Sequence, residues 1–140
     1  MRSKPYELID HTADVGIRAF GKNLAELFQH AAVGMFELMA DLRTVEPVDA
    51  KTITLAAETL EDLYLLWHQE LLFCSSVEGV IYKEFLLGAV TEKHLEAHIR
   101  GEKINFEKHA LKKEVKAVTY HALKVGKTKK GWVGEVIFDI

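Results

Sequence analysis

The 140-residue sequence contains a single cysteine, Cys74, and no long apolar run. One cysteine excludes an internal disulfide and a zinc site built from several cysteines, and it suits a reducing compartment. No apolar segment approaches the ~20 residues that a membrane-spanning helix requires. Residues 1–5 show no signal-peptide pattern. We therefore expect a cytoplasmic protein that has no membrane partner.

A strongly basic charge balance is also missing. The formal net charge is −3, which argues against a dedicated nucleic-acid-binding protein. One basic stretch stands out in the second half of the chain, and it comprises Lys103, Lys108, Lys112 and Lys113. We interpret it as a solvated loop, with contact to RNA or to an acidic protein as the alternative.

Motifs of nucleotide-binding and catalytic proteins are incomplete. Gly126-Lys127-Thr128 resembles the end of a phosphate-binding loop, but His121 stands where that loop requires its upstream glycine. His94 and His98 have the spacing of some zinc ligands, yet no glutamate follows His94 and the segment has a strand pattern. Cys74 has no activating neighbour in the sequence, and there is no serine nucleophile elbow. The sequence therefore gives no support to hydrolysis of a nucleotide or an ester.

Two segments have the pattern of amphipathic helices. The first follows Asn23, which forms a capping-box-like start with Glu26, and the second is capped by Thr59 and runs from Leu60 to about Cys74. The composition, 49% hydrophobic and 28% charged, is that of a globular protein. The length fits one domain, and we predict a single domain over residues 1–140.

Six or seven segments have the pattern of strands, namely residues 6–9, 15–20, 53–57, 80–90, 95–100, 114–125 and 131–139. The last four follow one another without a helix, which favours antiparallel hairpins. We predict an α+β fold in two layers, with a mixed, largely antiparallel sheet of six or seven strands packed against the two long amphipathic helices.

Acidic residues near both ends of the sequence fall on the less apolar face of their strands. Asp14 falls on the strand face opposite to the apolar residues Val15, Ile17 and Ala19, so its side chain should point away from the main core. The alternative is an aspartate that caps a turn. Asp139 lies beside Ile140, the last residue of the sequence. Two adjacent carboxylates repel each other unless a cation or a donor lies between them. Asp139 and Ile140 therefore suggest a cation site, and a solvated C-terminus is the alternative.

The strand-like segment 114–125 contains a lysine among apolar residues. Val115, Ala117 and Thr119 are predicted to face the core, whereas Lys116 and Tyr120 fall on the other face. An ammonium group is costly to bury without a partner. Lys116 either extends to solvent or faces a carboxylate or phosphate, and both interpretations remain open.

Taken together, these segments resemble the archease family. The N-terminal match comprises His11-Thr12-Ala13-Asp14-Val15-Gly16-Ile17, then Gly21 and Leu24-Ala25-Glu26-Leu27-Phe28. The C-terminal match comprises Gly101-Glu102, His109, Glu114-Val115-Lys116-Ala117-Val118-Thr119-Tyr120-His121, Trp132 and Asp139-Ile140. The resemblance covers essentially the whole chain in order.

The resemblance implies an accessory protein rather than an enzyme. Archeases activate the RtcB-type RNA-splicing ligase by promoting its guanylylation and its multiple turnover in tRNA exon ligation, so tRNA would be met indirectly through the ligase. The resemblance also implies a divalent cation, often described as calcium, bound by Asp14, Asp139 and the terminal Ile140; magnesium or manganese would be the other candidates. Oxygen ligands suit such hard cations. Lys116, His11 and Tyr120 would be the residues that face the partner.

Two other classes of function remain open. The first is a general protein chaperone or an oligomeric interaction module, with a homo-oligomer as one form, whose metal is only structural. The second is a small metal-dependent hydrolase that uses His11, Asp14 and Asp139, although no general base and nucleophile can be assembled from these residues.

Overall fold

The computed structural model describes residues 4–10 and 14–140. Its two long helices are α1 (Leu24–Met39) and α2 (Leu60–Glu78), and a short 3-10 helix (Leu42–Thr44) follows α1. Asn23 caps α1, because its side chain accepts a hydrogen bond from the Glu26 N–H, and Thr59 caps α2 in the same way. Both predicted caps are confirmed. Helix α2 ends at Gly79, which adopts the left-handed conformation.

Seven strands occur in the described residues, and every strand pair is antiparallel. They are β1 (Tyr6–Asp10), β2 (Asp14–Gly21), β3 (Asp49–Ala56), β4 (Val80–Val90), β5 (His94–Lys103), β6 (Ala117–Thr128) and β7 (Gly131–Asp139). One sheet has the order β1-β2-β7-β6 and the other has the order β3-β5-β4. The α+β class, the two helices and the antiparallel strands are thus confirmed.

The structure differs from the predicted single sheet in one respect. The strands of the described residues form two sheets, and the helices contact both of them. Helix α1 packs against β2 of the first sheet and β4 of the second, and α2 packs against β6 and β4. Aromatic rings join these layers: Phe36 of α1 contacts Tyr82 and Phe85 of β4, and Trp67 of α2 also contacts Phe85. Because each helix packs against both sheets, the helices lie between the sheets. The pattern of strands in the sequence does not indicate this arrangement.

Strand β6 also departs from the expected alternation. Residues 120–123 face a single residue of β7, and Ala122 in this bulge has a φ of 55°. Val118 is buried and pairs with Phe138, whereas Ala117 and Thr119 are only half-buried. The prediction that Ala117 and Thr119 face the core is therefore wrong. The bulge reverses the alternation, so Val125 beyond it is buried as expected.

No helix in the described ranges combines the length and the apolar character that crossing a membrane would require.

Candidate metal and partner site

Asp14 and Asp139 are cross-strand partners at one end of the two central strands of the first sheet. Strands β2 and β7 pair in antiparallel register, and Asp14 lies directly opposite Asp139. Side chains at directly opposed positions lie on the same face of a sheet, with Cβ atoms ~4.5–5.5 Å apart. The structure therefore brings together two carboxylates that are 125 residues apart in the sequence.

Apolar packing on the other face holds this pair in place. Val15 and Phe138, the neighbours of the two aspartates, are buried and are paired with each other. A shift of one residue would turn Phe138 to the outer face, so the core fixes the register. Ala117 of β6 lies opposite Asp139 on its other side. A methyl group in this position leaves room beside the Asp139 carboxylate.

The two carboxylates differ in exposure. Asp14 is half-buried and its Oδ1 atom is buried, whereas Asp139 is exposed and Ile140 is half-buried against the core. A site with one buried and one open carboxylate can hold a ligand and leave its outer side accessible.

Lys116 reaches this site through its main chain. Its N–H donates a hydrogen bond of 2.8 Å to the main-chain oxygen of Asp139, while its side chain is exposed. Among the described residues the Lys116 ammonium forms no ion pair. Of the two interpretations of Lys116, the solvent-directed side chain is the one observed, and it is anchored beside the carboxylates.

Tyr120 lies in the β6 bulge and 79% of it is exposed. The bulge is fastened to β7, because the Thr119 hydroxyl donates to the Ile137 carbonyl at 3.0 Å. An exposed aromatic side chain on an ordered bulge, three residues from Ala117, is available to a partner. His11 falls outside the described residues, so its role stays a prediction.

The donor set fits a hard cation. It offers carboxylate and main-chain oxygens, which Ca²⁺ and Mg²⁺ prefer. The described residues contain no group of three or more His, Cys, Asp or Glu side chains that could hold a metal. A cation here would thus be bound by two side-chain carboxylates, with further ligands from Ile140, water or a partner.

The other candidate sites are not assembled. His94 and His98 lie on β5, where four residues span about 13 Å, so one zinc ion cannot be bound by both. Burial raises the pKa of the Cys74 thiol to about 11, and the Glu70 carboxylate adds to the shift. A thiol with this pKa is a poor nucleophile.

Two of the four lysines in the basic stretch, Lys108 and Lys112, form internal side-chain contacts. The Lys108 ammonium lies 2.8 Å from Glu102 and 3.2 Å from Glu46, and Lys112 donates to the Glu37 carbonyl. Lys108, then the Glu46 N–H and His109, lower the pKa of Glu102 to about 2. This cluster joins the loop to the second sheet, which favours a structural role for the stretch.

Comparison with known proteins identifies the family. The model of the Archease protein family matches residues 6–140. The chain belongs to the archease family. A curated archease from Methanosarcina barkeri is 36% identical over 99% of this chain and 98% of its own length. An archease from Saccharolobus islandicus is 41% identical, with full coverage of both chains.

Solved structures agree with this family. The solution structure of protein 1598 from Methanobacterium thermoautotrophicum has a TM-score of 0.84 and 34% identity, and covers 98% of this chain and 99% of its own. A crystal structure from Thermotoga maritima, described as an archease and possible chaperone, has a TM-score of 0.66 at 21% identity, with 100% and 98% covered. The second similarity supports the archease fold alone.

Sequence reasoning missed a groove at the other end of the first sheet. It has a volume of about 830 Å³ and is lined by several basic side chains, among them Lys22, Lys124 and Lys130, and by Trp132. The lysines clustered around Gly126-Lys127-Thr128 are the signal in the sequence that indicates this groove.

Proposed function

We propose that this protein is an activator of an RtcB-type RNA-splicing ligase in the cytoplasm. It would promote guanylylation of the ligase and its multiple turnover in tRNA exon ligation, without being the ligase itself. The observation that supports this most directly is the register of β2 and β7, which places Asp14 opposite Asp139. Membership of the archease family makes that pair the natural candidate for the implied site.

Asp14, Asp139 and the main-chain carboxylate of Ile140 would hold a divalent cation, with Ca²⁺ the first candidate and Mg²⁺ or Mn²⁺ the others. When bound, it would supply a concentrated positive charge and coordination positions open to a partner. The chain's own residues define the surrounding surface. Lys116 presents its ammonium to solvent beside Asp139, and Tyr120 presents an exposed ring on the β6 bulge.

The test is a multiple-turnover RNA ligation assay with limiting ligase, with and without this protein. We expect stimulation by the unmodified protein and a loss of at least tenfold with Asp14→Asn, which keeps the shape and removes the charge. Asp49→Asn, at an exposed position of β3, is the matched control and should stimulate normally. Full stimulation by Asp14→Asn would refute the proposed site.

Two further variants separate the partner-facing residues from the cation. Lys116→Gln should reduce stimulation without changing calcium affinity measured by calorimetry, because its ammonium would act on the ligase. Lys113→Gln, another exposed lysine of the same connection, is its control. A short extension after Ile140 should reduce both calcium affinity and stimulation. Equal effects of the two lysine variants would contradict a specific role for Lys116.

An interaction module with a structural metal is the second candidate. It is favoured by Phe73 and Val77, one turn apart on α2 and 61% and 67% exposed. This candidate predicts that chelation lowers thermal stability while Asp14→Asn and Lys116→Gln retain ligase activation. It also predicts a homo-oligomer in sedimentation velocity that Phe73→Ser dissociates.

A further inference from the structure

A basic groove lies at the end of the first sheet that is remote from Asp14 and Asp139. Five basic side chains line it, together with two acidic ones and two large aromatic ones: Lys4, Arg18, Lys22, Lys124, Lys130, Glu26, Glu135, Phe20 and Trp132. Asp14 and Phe20 are six residues apart on β2, which corresponds to about 20 Å. The groove is therefore a second site and not an extension of the acidic pair.

The two acidic side chains of the groove are engaged internally. Glu135 accepts from Arg18 at 3.1 Å and lies 3.8 Å from the Lys124 ammonium, and Glu26 accepts from the Lys22 main-chain N–H. Within the described residues, no ion pair engages the ammonium groups of Lys4, Lys22, Lys127, Lys129 and Lys130. Uncompensated positive charge is thus concentrated here on a protein whose formal net charge is −3.

The turn between β6 and β7, which carries the groove residue Lys130, packs against the segment that carries Lys22. A Cβ at Gly131 would lie 2.5 Å from the Gly21 carbonyl oxygen, so the turn packs directly on the end of β2. The Thr128 hydroxyl accepts from the Lys130 N–H at 3.2 Å and donates to the Gly131 carbonyl at 3.0 Å. Lys22 and Lys130 are therefore presented in the groove lining by two backbone segments that pack against each other.

An aromatic ring accompanies the charges. Trp132 is half-buried in the groove wall, and the Lys127 ammonium lies 5.9 Å from its ring centroid. Cations that follow a phosphate backbone, combined with a ring on which a base stacks, are the features of surfaces that bind single-stranded nucleic acid. An acidic protein segment would pair with the lysines, but it has no base that could stack on the Trp132 ring.

We propose that this groove binds single-stranded RNA directly, through phosphate contacts from Lys22 and Lys130 and base stacking on Trp132. The inference adds a second surface to the proposed ligase activator. Its test uses this protein without the ligase, so a negative result would leave the proposed activation and the acidic site standing.

The experiment measures binding of a fluorescein-labelled 12-nucleotide oligouridylate by anisotropy, between 25 and 200 mM salt. The double variant Lys22→Ala/Lys130→Ala should bind at least tenfold more weakly at 50 mM salt. The slope of log K against log salt should fall by about 1.4, since each phosphate contact to a single strand contributes about 0.7. Trp132→Leu should weaken binding about tenfold, with its fold checked by circular dichroism.

The matched control is Lys103→Ala/Lys113→Ala, which removes two exposed lysines elsewhere and should leave the affinity unchanged. Loss of binding in this control equal to that in the groove variant would overturn the proposal. No binding of the oligonucleotide at 25 mM salt would do the same. Competition by poly-glutamate as effective as that by unlabelled RNA would assign the groove to acidic proteins instead.

Discussion

His68 should make the stability of this protein depend on pH. The imidazole is fully buried on α2, with ring centroids 4.8 Å from Tyr64 and 5.9 Å from Phe138. Burial lowers the pKa of His68 from 6.5 to about 4, although a hydrogen bond to the main-chain oxygen of Tyr64 opposes the shift. Phe138 precedes Asp139, so the same histidine supports the strand that carries the candidate site.

The sign follows from the difference in bound protons. Between pH 4 and pH 6.5 the unfolded chain binds a proton at this histidine and the folded chain does not, so unfolding is favoured as the pH falls. The full shift corresponds to about 3 kcal/mol. At pH 5 the loss relative to neutral pH should already be about 2 kcal/mol. Above pH 6.5 the histidine is mostly neutral in both the folded and the unfolded state, so this loss of stability disappears.

The assay is urea unfolding at several pH values between 4 and 7.5, on the unmodified protein and on His68→Leu. Leucine cannot be protonated, so the variant should not show this loss at low pH. The unfolding free energy of the unmodified protein minus that of His68→Leu should therefore be about 2 kcal/mol higher at pH 7.5 than at pH 5. His94→Gln, on the exposed face of β5, serves as the control and should follow the unmodified protein. Parallel curves for His68→Leu and the unmodified protein would refute the reasoning.

Three other predictions follow from the packing and charges. Gly134→Ala should lower the unfolding free energy by about 1–3 kcal/mol, because its Cβ would lie 2.6 Å from Tyr64 Cζ. Gly126→Ala is the control, because the new Cβ would meet open space, and it should change the unfolding free energy by less than about 0.5 kcal/mol. Chemical denaturation of both variants measures the difference. Calcium at 100 times its Kd should stabilise the unmodified protein by about 2.7 kcal/mol in a thermal scan, and Asp139→Asn should abolish most of that shift. Glu102→Gln should flatten the loss of stability between pH 4.5 and pH 2, because the low pKa of Glu102 stabilises the fold only while its carboxylate is ionised.

The features that the sequence predicted correctly depend on local interactions. The Asn23 and Thr59 caps involve residues three apart, and the alternation that separates Asp14 from Val15 is a property of one strand. Such patterns are determined by backbone geometry and solvent contact over a few residues. They sufficed to predict the two helices and the seven strands.

The features that local patterns do not determine depend on contacts between distant segments, and the joint site of Asp14 and Asp139 was implied only by the family resemblance. Nothing local specifies that Asp14 is opposite Asp139, or that the seven strands divide into two sheets. The β6 bulge contains no glycine at its residue of positive φ, Ala122, so the usual signal of such an irregularity was missing. The basic groove likewise combines residues from β2, α1 and the β6–β7 turn, which no stretch of sequence shows together.

The acidic pair and the basic groove should act as electrostatically independent sites, although the same two strands carry them. Their separation of about 20 Å along β2 exceeds the screening length of about 8 Å at physiological ionic strength. Asp14→Asn should therefore leave RNA affinity unchanged, and Lys22→Ala/Lys130→Ala should leave calcium affinity unchanged. In the combined variant the loss of calcium affinity and the loss of RNA affinity should each equal that of the corresponding separate variant, because the groups share no contacts. A calcium-dependent change in RNA affinity at constant ionic strength would instead show that β2 and β7 move as a coupled unit.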